Sequence, residues 1–139
     1  MPTDQWKEGR QGAASLCYGI LTPAQWPWVV EHHRRVGIRA SVAASIEPEL
    51  QERLLERHWD LGATVEHALS LPLPLELGPA QAAIEAVVQA KQWRVWTVHA
   101  ETLVGLGQEG HQQLLSWLGD HHARIWCAPQ RDIAAWLAS

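Results

Sequence analysis

Two histidines stand where a functional site is expected. Of the eight histidines in the chain, His67 and His99 end short runs with the composition of β-strands, and in parallel α/β proteins functional side chains collect at the carboxyl ends of strands. A neutral imidazole there can bind a metal, act as a general acid or base, or remain a hydrogen-bonded neutral group. A catalytic zinc needs about three protein ligands. The nearby candidates are Glu66, Glu101 and the cysteine thiols, although Glu66 would point away from its neighbour on a strand. The other six histidines are expected on solvated surface.

The two cysteines are interpreted as inert. Cys17 and Cys127 end the first and the last strand-like runs, and no CxxC spacing is present. This pattern predicts neither a disulfide framework nor a zinc finger. A catalytic thiol needs a lowered pKa from a nearby base or a helix N-terminus, and no residue close in the sequence supplies one. We therefore expect buried thiols in a reducing compartment.

The elements that position these residues alternate between strand and helix. This alternation predicts an α/β fold of repeated βα units, with about five mainly parallel strands in a single domain, residues 1–139. The clearest helix begins near Ala80, where apolar residues recur at helical spacing as far as Val88. Residues 71–79 carry alternating prolines and predict an extended, polyproline-like loop. The predicted strands cover residues 13–18, 38–44, 63–67, 93–98 and 124–127.

The composition excludes several classes of function. The chain of 139 residues is 47% hydrophobic and 19% charged, as in a globular domain. Its net charge of -4 gives no electrostatic basis for binding nucleic acid or an anionic membrane. No apolar run approaches the roughly 20 residues of a membrane-spanning helix, and the polar N-terminus lacks the apolar core of a signal peptide. We expect a soluble, cytoplasmic protein. Any exposed members of its nine tryptophans would suit stacking on a sugar or a partner.

The order and spacing of several short segments resemble the polysaccharide deacetylases. In that family a strand ends in a functional histidine, and a helix and a final strand follow. Here the strand that ends in His99 is followed by a leucine-striped helix and by the last predicted strand. The resemblance spans most of the chain and implies an incomplete version of the family's (β/α) barrel. The matching segments are residues 37–42, 62–67, 93–99, 114–118, 124–129 and 132–134.

The resemblance implies a role for two residues and shows that others are missing. It implies a metal-ligand position for His67 and a general-acid position for His99. Gly19 and Ile20 stand near the end of the first strand, where the family has two aspartates, and Leu71 stands in place of a second histidine ligand. Without that base and those ligands, hydrolysis by metal-activated water would lose several orders of magnitude in rate.

Three more residues near the predicted strand ends complete the candidate site. We expect Tyr18, Trp96 and Glu101 to contact a small polar or carbohydrate ligand, in one cleft shared by His67 and His99. The resulting expectation is a non-catalytic deacetylase-like domain, without a cofactor, that binds a partner chain or a small polar ligand. The alternative is a metal-dependent hydrolase of amide bonds, using zinc or another divalent metal, with a rebuilt or subunit-shared site. A third reading is a structural subunit that completes a larger barrel.

The predicted sheet is too small to close. A parallel barrel normally needs about eight strands, and five βα units fall short of that. The sheet should therefore be open, with edge strands that need a cover. The leucines of residues 71–77 have no helical face on which to be buried. We therefore expect a homo-oligomer, at least a dimer, or a complex with a partner protein.

Overall fold

The computed structural model describes residues 6–64 and 67–139. Within them, six strands form one sheet whose pairings are all parallel. A short 3-10 turn, Lys7–Gly9, precedes the first strand. The strands are β1 (Gly12–Tyr18), β2 (Ser41–Val42), β3 (Asp60–Leu61), β4 (Ser70–Pro72), β5 (Trp93–Val98) and β6 (Ile125–Cys127). The helices are α1 (Trp26–Val36), α2 (Pro48–Glu56), α3 (Leu77–Gln89), α4 (Ala100–Asp120) and α5 (Gln130–Leu137).

Strand β1 lies at the centre of the sheet. The strand order is β3-β2-β1-β5-β4, and β6 also pairs with β1. One edge of β1 pairs with β5 from Ala13 to Tyr18. The other edge is shared, because β6 pairs with residues 12–14 and β2 pairs with Cys17 and Tyr18. The predicted α/β class with a mainly parallel sheet is confirmed. At its carboxyl end, β1 lies between β2 and β5.

The two faces of the sheet are covered differently. Leu16 and Tyr18 of β1 belong to one large apolar cluster that includes residues of α1, α2, α3 and α4, and we call this side the four-helix face. Ala13 belongs to a second cluster, with Ile133 of α5, so the opposite side is named the α5 face. Because side chains alternate along a strand, Cys17 also lies on the α5 face.

Helices α1 and α3 of the four-helix face are formed by residues that suit their positions. Helix α1 carries Pro27 in its first turn, where the missing N–H costs nothing, and it ends at Gly37. Gly37 has φ 71° and donates its N–H to the carbonyl of His33 at 2.9 Å, which closes the helix. In α3 the striped residues Ala80, Ile84 and Val88 are fully buried, as predicted.

Helix α4 is interrupted near its middle. Gly107 has φ 74° and ψ 169°, which is not a helical conformation and is easily reached only by glycine. A first segment therefore follows His99, and a second segment carries His111. No helix in the part of the chain that the structure describes is long and apolar enough to cross a membrane.

The predicted boundaries of two strands are wrong. The second strand is confined to Ser41–Val42, and the third is Asp60–Leu61 rather than residues 63–67. The reason is the turn after α2, which is made at His58 with φ 63° and returns the chain to the sheet before Gly62. Within the predicted segment 63–67, Val65 and Glu66 lie outside the described residues.

The proline-rich segment contributes a strand that the sequence does not predict. Ser70–Pro72 pairs with β5 as strand β4, and Leu73 continues the ladder by donating its N–H to the Thr97 carbonyl at 3.0 Å. Proline is tolerated here because β4 lies at the edge of the sheet. The outer edge of β4 is also poor in donors, since Pro72 has no N–H and the Ser70 N–H bonds to the carbonyl of His67 at 3.4 Å. A second chain could therefore form few backbone hydrogen bonds along this edge.

Candidate functional site

A row of polar side chains crosses the α5 face near the carboxyl ends of the strands. In the register of the sheet, Asp60 of β3 lies beside Ser41 of β2, Ser41 beside Cys17 of β1, and Cys17 beside Thr97 of β5. Side chains at paired positions of neighbouring strands share a face. The four residues therefore form a continuous line of one carboxylate, two hydroxyls and one thiol, which we call the polar row.

The polar row is tied to the first residue of α5. The Ser41 hydroxyl donates to Asp60 Oδ2 at 3.3 Å and accepts the backbone N–H of Gln130 at 3.1 Å. The side-chain amide of Gln130 donates through Nε2 to the Thr64 carbonyl at 2.8 Å. Within the described residues, Gln130 Oε1 and the buried Ser15 Oγ, which is also on the α5 face, have no hydrogen-bond partner. Buried polar atoms without a partner are rare, and they mark this region as polar and incompletely satisfied.

A recess of about 540 Å³ lies beside the polar row on the α5 face. Its volume is in the range of ligand sites. Apolar side chains dominate its walls, and Gln130 joins it to the polar row. The residues that line it include Leu69, Trp93, Val95, Gln130, Arg131 and Leu137.

His99 lies at the carboxyl end of β5, immediately beyond the polar row. It is exposed, and it lies two residues after Thr97, so alternation places it on the same face. Its backbone N–H donates to Thr102 Oγ1 at 3.1 Å, and His99 is the N-cap residue of α4. The imidazole lies against Gly19, since a Cβ at position 19 would be 2.3 Å from both Cε1 and Nδ1 of His99. Glycine at position 19 is therefore what lets this imidazole lie across the end of β1.

Substitution of Gly19 should displace the imidazole without unfolding the chain. In Gly19→Ala the added methyl group occupies the place of the His99 ring, and we expect the exposed ring to swing towards solvent at a cost of about 1 kcal/mol or less in the free energy of unfolding. The NMR signals of the His99 ring should shift. Gly78→Ala is the matched control, because no atom lies within 4 Å of a Cβ there, and it should leave the His99 signals unchanged.

The structure does not bring His67 and His99 together. His67 lies in an exposed turn three residues before Ser70, which pairs with Val95 of β5. His99 lies four residues beyond Val95, about 13 Å further along the strand direction. The two histidines are thus at opposite ends of the β4–β5 pair, and the expected shared cleft is not formed. The strand boundary causes the difference, since His67 precedes a strand instead of ending one.

Two of the three expected ligand contacts are buried in the core. Tyr18 and Trp96 are 0% and 2% exposed and lie on the four-helix face, so a ligand on the α5 face does not reach them. Glu101 is exposed in the first turn of α4, close in sequence to His99. Of the residues predicted from sequence, His99 and Glu101 therefore remain available at the carboxyl end of the sheet.

Burial holds both thiols in the protonated form. Desolvation raises the pKa of Cys17 to about 11, with a smaller effect of Asp60, and desolvation raises the pKa of Cys127 to about 12. The two residues also lie on opposite faces of the sheet, because Cys127 pairs with Ala14 and packs with the four-helix cluster. A nucleophilic role for either thiol at neutral pH is disfavoured.

Three histidines expected on the surface are instead buried in a hydrogen-bonded chain with Tyr18. Tyr18 Oη is 2.5 Å from His33 Nε2 and 2.7 Å from His111 Nε2. His32 Nδ1 is 2.8 Å from His111 Nδ1, and His33 Nδ1 is 2.9 Å from the carbonyl of Ile38. We call these four side chains the Tyr–His chain. It links α1, α4 and the last residue of β1 on the four-helix face.

The protons of the Tyr–His chain can be placed by chemistry alone. The Ile38 carbonyl only accepts, so His33 carries its proton on Nδ1 and its Nε2 accepts from the Tyr18 hydroxyl. The phenolic oxygen then accepts the Nε2 proton of His111, whose bare Nδ1 accepts the Nδ1 proton of His32. This assignment requires neutral imidazoles at His33 and His111. Desolvation agrees with it, lowering the pKa of His33 to about 4 and that of His111 to about 2, and lowering the pKa of His32 as well.

A second, mainly apolar groove of about 470 Å³ lies between α1 and α2, on the four-helix side. Leu21, Trp26, Ile46 and Leu50 form most of its floor, and Glu47, Glu49 and Arg53 lie at its rim. It shares no residue with the polar row.

The residues present do not fit a zinc site of the deacetylase type. His67, in the implied metal-ligand position, is at the other end of the β4–β5 pair from His99, and nowhere in residues 6–64 and 67–139 do three metal-binding side chains converge. Comparison of the chain with protein-family models, with curated proteins and with solved structures found no match in any of the three.

Proposed function

We propose that this chain is a non-catalytic domain, similar to the polysaccharide deacetylases in the order of its elements, that binds a small polar ligand on the α5 face of its sheet. The observation that carries the proposal is the polar row, in which buried Ser41 and Cys17 stand in register between half-buried Asp60 and Thr97, the members that a ligand can reach. Exposed His99 extends the row to the carboxyl edge. Ligands of open parallel sheets bind at this edge.

The chemistry of the site suits hydrogen bonding to a polyhydroxylated or amino-bearing ligand. The carboxylate of Asp60 and the hydroxyl of Thr97 can accept from hydroxyl or ammonium groups, and the imidazole of His99 can donate or accept. An amino sugar carries both hydroxyl and ammonium groups and is the ligand class that we propose.

Binding without catalysis is favoured by the positions of the reactive groups. Cys17 is a protonated thiol, and His99 has no second imidazole beside it, since His67 is at the other end of the β4–β5 pair. We expect no release of acetate from N-acetylglucosamine. Acetate release that His67→Ala abolishes would instead favour the hydrolase alternative.

The test is a titration with glucosamine followed by NMR. We expect His99→Ala to weaken binding at least about tenfold, the effect of losing one or two hydrogen bonds to the ligand. His67→Ala is the matched control, because it removes another exposed imidazole, near the start of β4, and should leave the affinity unchanged. Equal effects of the two variants, or no binding of glucosamine or N-acetylglucosamine to the wild-type chain, would contradict the proposal.

Self-association is proposed through side chains rather than through strand pairing. The outer edge of β4 is poor in N–H donors, whereas Leu71 and Leu75 nearby are 40% and 52% exposed. Burial of such leucines between two copies would remove apolar surface from water. We expect light scattering at micromolar concentration to give a dimer. A mass near the 15.6 kDa of a single chain would contradict this expectation.

A further inference from the structure

The Tyr–His chain joins three elements at the place where the sheet supports the candidate site. His32 and His33 lie on α1, His111 lies on the second segment of α4, and Tyr18 is the last residue of β1. All four side chains are less than 7% exposed. Trp28 lies over the end of the chain, with its ring centre 5.4 Å from that of His32 and 5.5 Å from that of His111.

The Tyr–His chain can hold one extra proton without losing a bond. That proton can enter at His32 Nε2, which is not used within the chain, and the other protons can then shift along the chain. A second extra proton leaves one donor of the chain without an acceptor. An acid-induced opening therefore begins with loss of the bond between His32 and His111 or of the bond between Tyr18 and His33.

We propose that the Tyr–His chain is an acid-sensitive latch, which holds α1 and α4 against the carboxyl end of β1 above about pH 6 and, by opening at lower pH, weakens the ligand site around His99. The regulated site is the one in the proposed function, so this part of the inference rests on that proposal.

The latch is coupled to the site through the neighbours of Tyr18. Gly19 follows Tyr18 in the chain and lies directly beneath the His99 imidazole, while its N–H bonds to the Val98 carbonyl at 2.9 Å. Helix α4 carries His111 of the latch and begins directly after His99. A shift of Tyr18 or α4 therefore alters the support of His99. In this role Tyr18 is a positioning residue that touches no ligand.

The charged groups around the latch are mostly cationic. Arg35 acts on His32 against protonation, and Glu31 acts in the opposite direction, although Glu31 is itself bonded to Arg34 and Arg35. Arg34, Arg39 and Arg57 border the small cleft that His33 also lines. Beside Tyr18, the Cys127 thiol remains protonated. Histidine is the side chain whose ordinary pKa lies between pH 5 and 7, so the histidines of the latch determine the response in this range.

The expected response is steep. Below the ordinary pKa of histidine, the equilibrium constant for opening of the latch rises with falling pH. Each imidazole that is neutral in the closed latch and can be protonated in the open latch contributes about a tenfold rise per pH unit. The two most deeply buried imidazoles, His33 and His111, together give about a hundredfold per pH unit.

The test is NMR of the uniformly ¹⁵N-labelled chain between pH 7.5 and 5. At pH 7.5 the ring nitrogens should report the Nδ1–H form for His32 and His33 and the Nε2–H form for His111. On acidification the signals of the latch and the amide signal of Gly19, which lies beneath His99, should change together, while most other amide signals stay dispersed. Glucosamine affinity should fall over the same range.

Two variants separate a latch from a merely structural contact. His111→Gln keeps an N–H donor for Tyr18 but cannot be protonated, so the amide signal of Gly19 should lose about half of its dependence on pH. His58→Gln removes an exposed histidine outside the latch and should change nothing. Other tautomers at pH 7.5, an unaltered pH response in His111→Gln, or loss of all amide dispersion in the same transition would overturn the latch. A latch that opens as expected in a chain that binds no glucosamine would overturn only the proposed function.

Discussion

Lowering the pH from 7 to 5 is expected to reduce the free energy of unfolding by about 4 kcal/mol. His33 and His111 are neutral in the fold, where desolvation lowers their pKa values to about 4 and about 2, and they regain an ordinary pKa near 6.5 on unfolding. Acid therefore protonates the unfolded chain first. The stabilisation is complete above pH 6.5 and is lost as the pH falls below it, at about 2 kcal/mol for each histidine by pH 5.

Urea denaturation at a series of pH values would measure this loss. Carboxylates with ordinary pKa values remain ionised over most of this range, so the histidines dominate it. His111→Gln should remove about half of the pH dependence. A free energy of unfolding that is constant between pH 7 and 5 would contradict the buried, neutral state of these side chains.

Tyr18→Phe is expected to reduce the free energy of unfolding by about 3 kcal/mol at pH 7. The variant removes only the hydroxyl group, but it leaves the Nε2 proton of His111 without an acceptor and the Nε2 lone pair of His33 without a donor. Each buried atom without a partner costs about 1–3 kcal/mol. Thermal and urea denaturation would measure the change.

Ser15→Ala is the matched control on the same strand. The Ser15 hydroxyl is as deeply buried as that of Tyr18, but it has no partner in the described part of the chain. Its removal should leave the stability within about 0.5 kcal/mol or raise it, because a buried polar group without a hydrogen bond is unfavourable. Equal losses in the two variants would show that the bonds of the Tyr–His chain contribute nothing specific.

Much of the fold follows from local patterns in the sequence. The stripe from Ala80 to Val88 predicts α3, and the apolar run ending at Tyr18 predicts β1. The third strand was misplaced because its turn is made at His58, a residue that favours a positive φ far less than glycine does. Strand β4 was missed because prolines exclude a central strand, whereas Pro72 is at an edge.

The candidate site was predicted only in part. The position of His99 after a strand follows from the sequence. The polar row does not, because it is formed only by the register of four strands. The Tyr–His chain was missed because histidines on helices were assigned to the surface. A signal was present in the helical spacing, since His33 follows Val29 and Val30 on the buried face of α1.

The central claim is that a small polar ligand binds at the polar row, and mapping amide chemical shifts during a titration with glucosamine tests it most directly. We expect the largest changes at Thr97 and His99, with smaller ones at Ser41, Asp60, Gln130 and along the recess. Changes confined to the groove between α1 and α2, at Leu21, Ile46 and Leu50, or to the turn at His67, would contradict it.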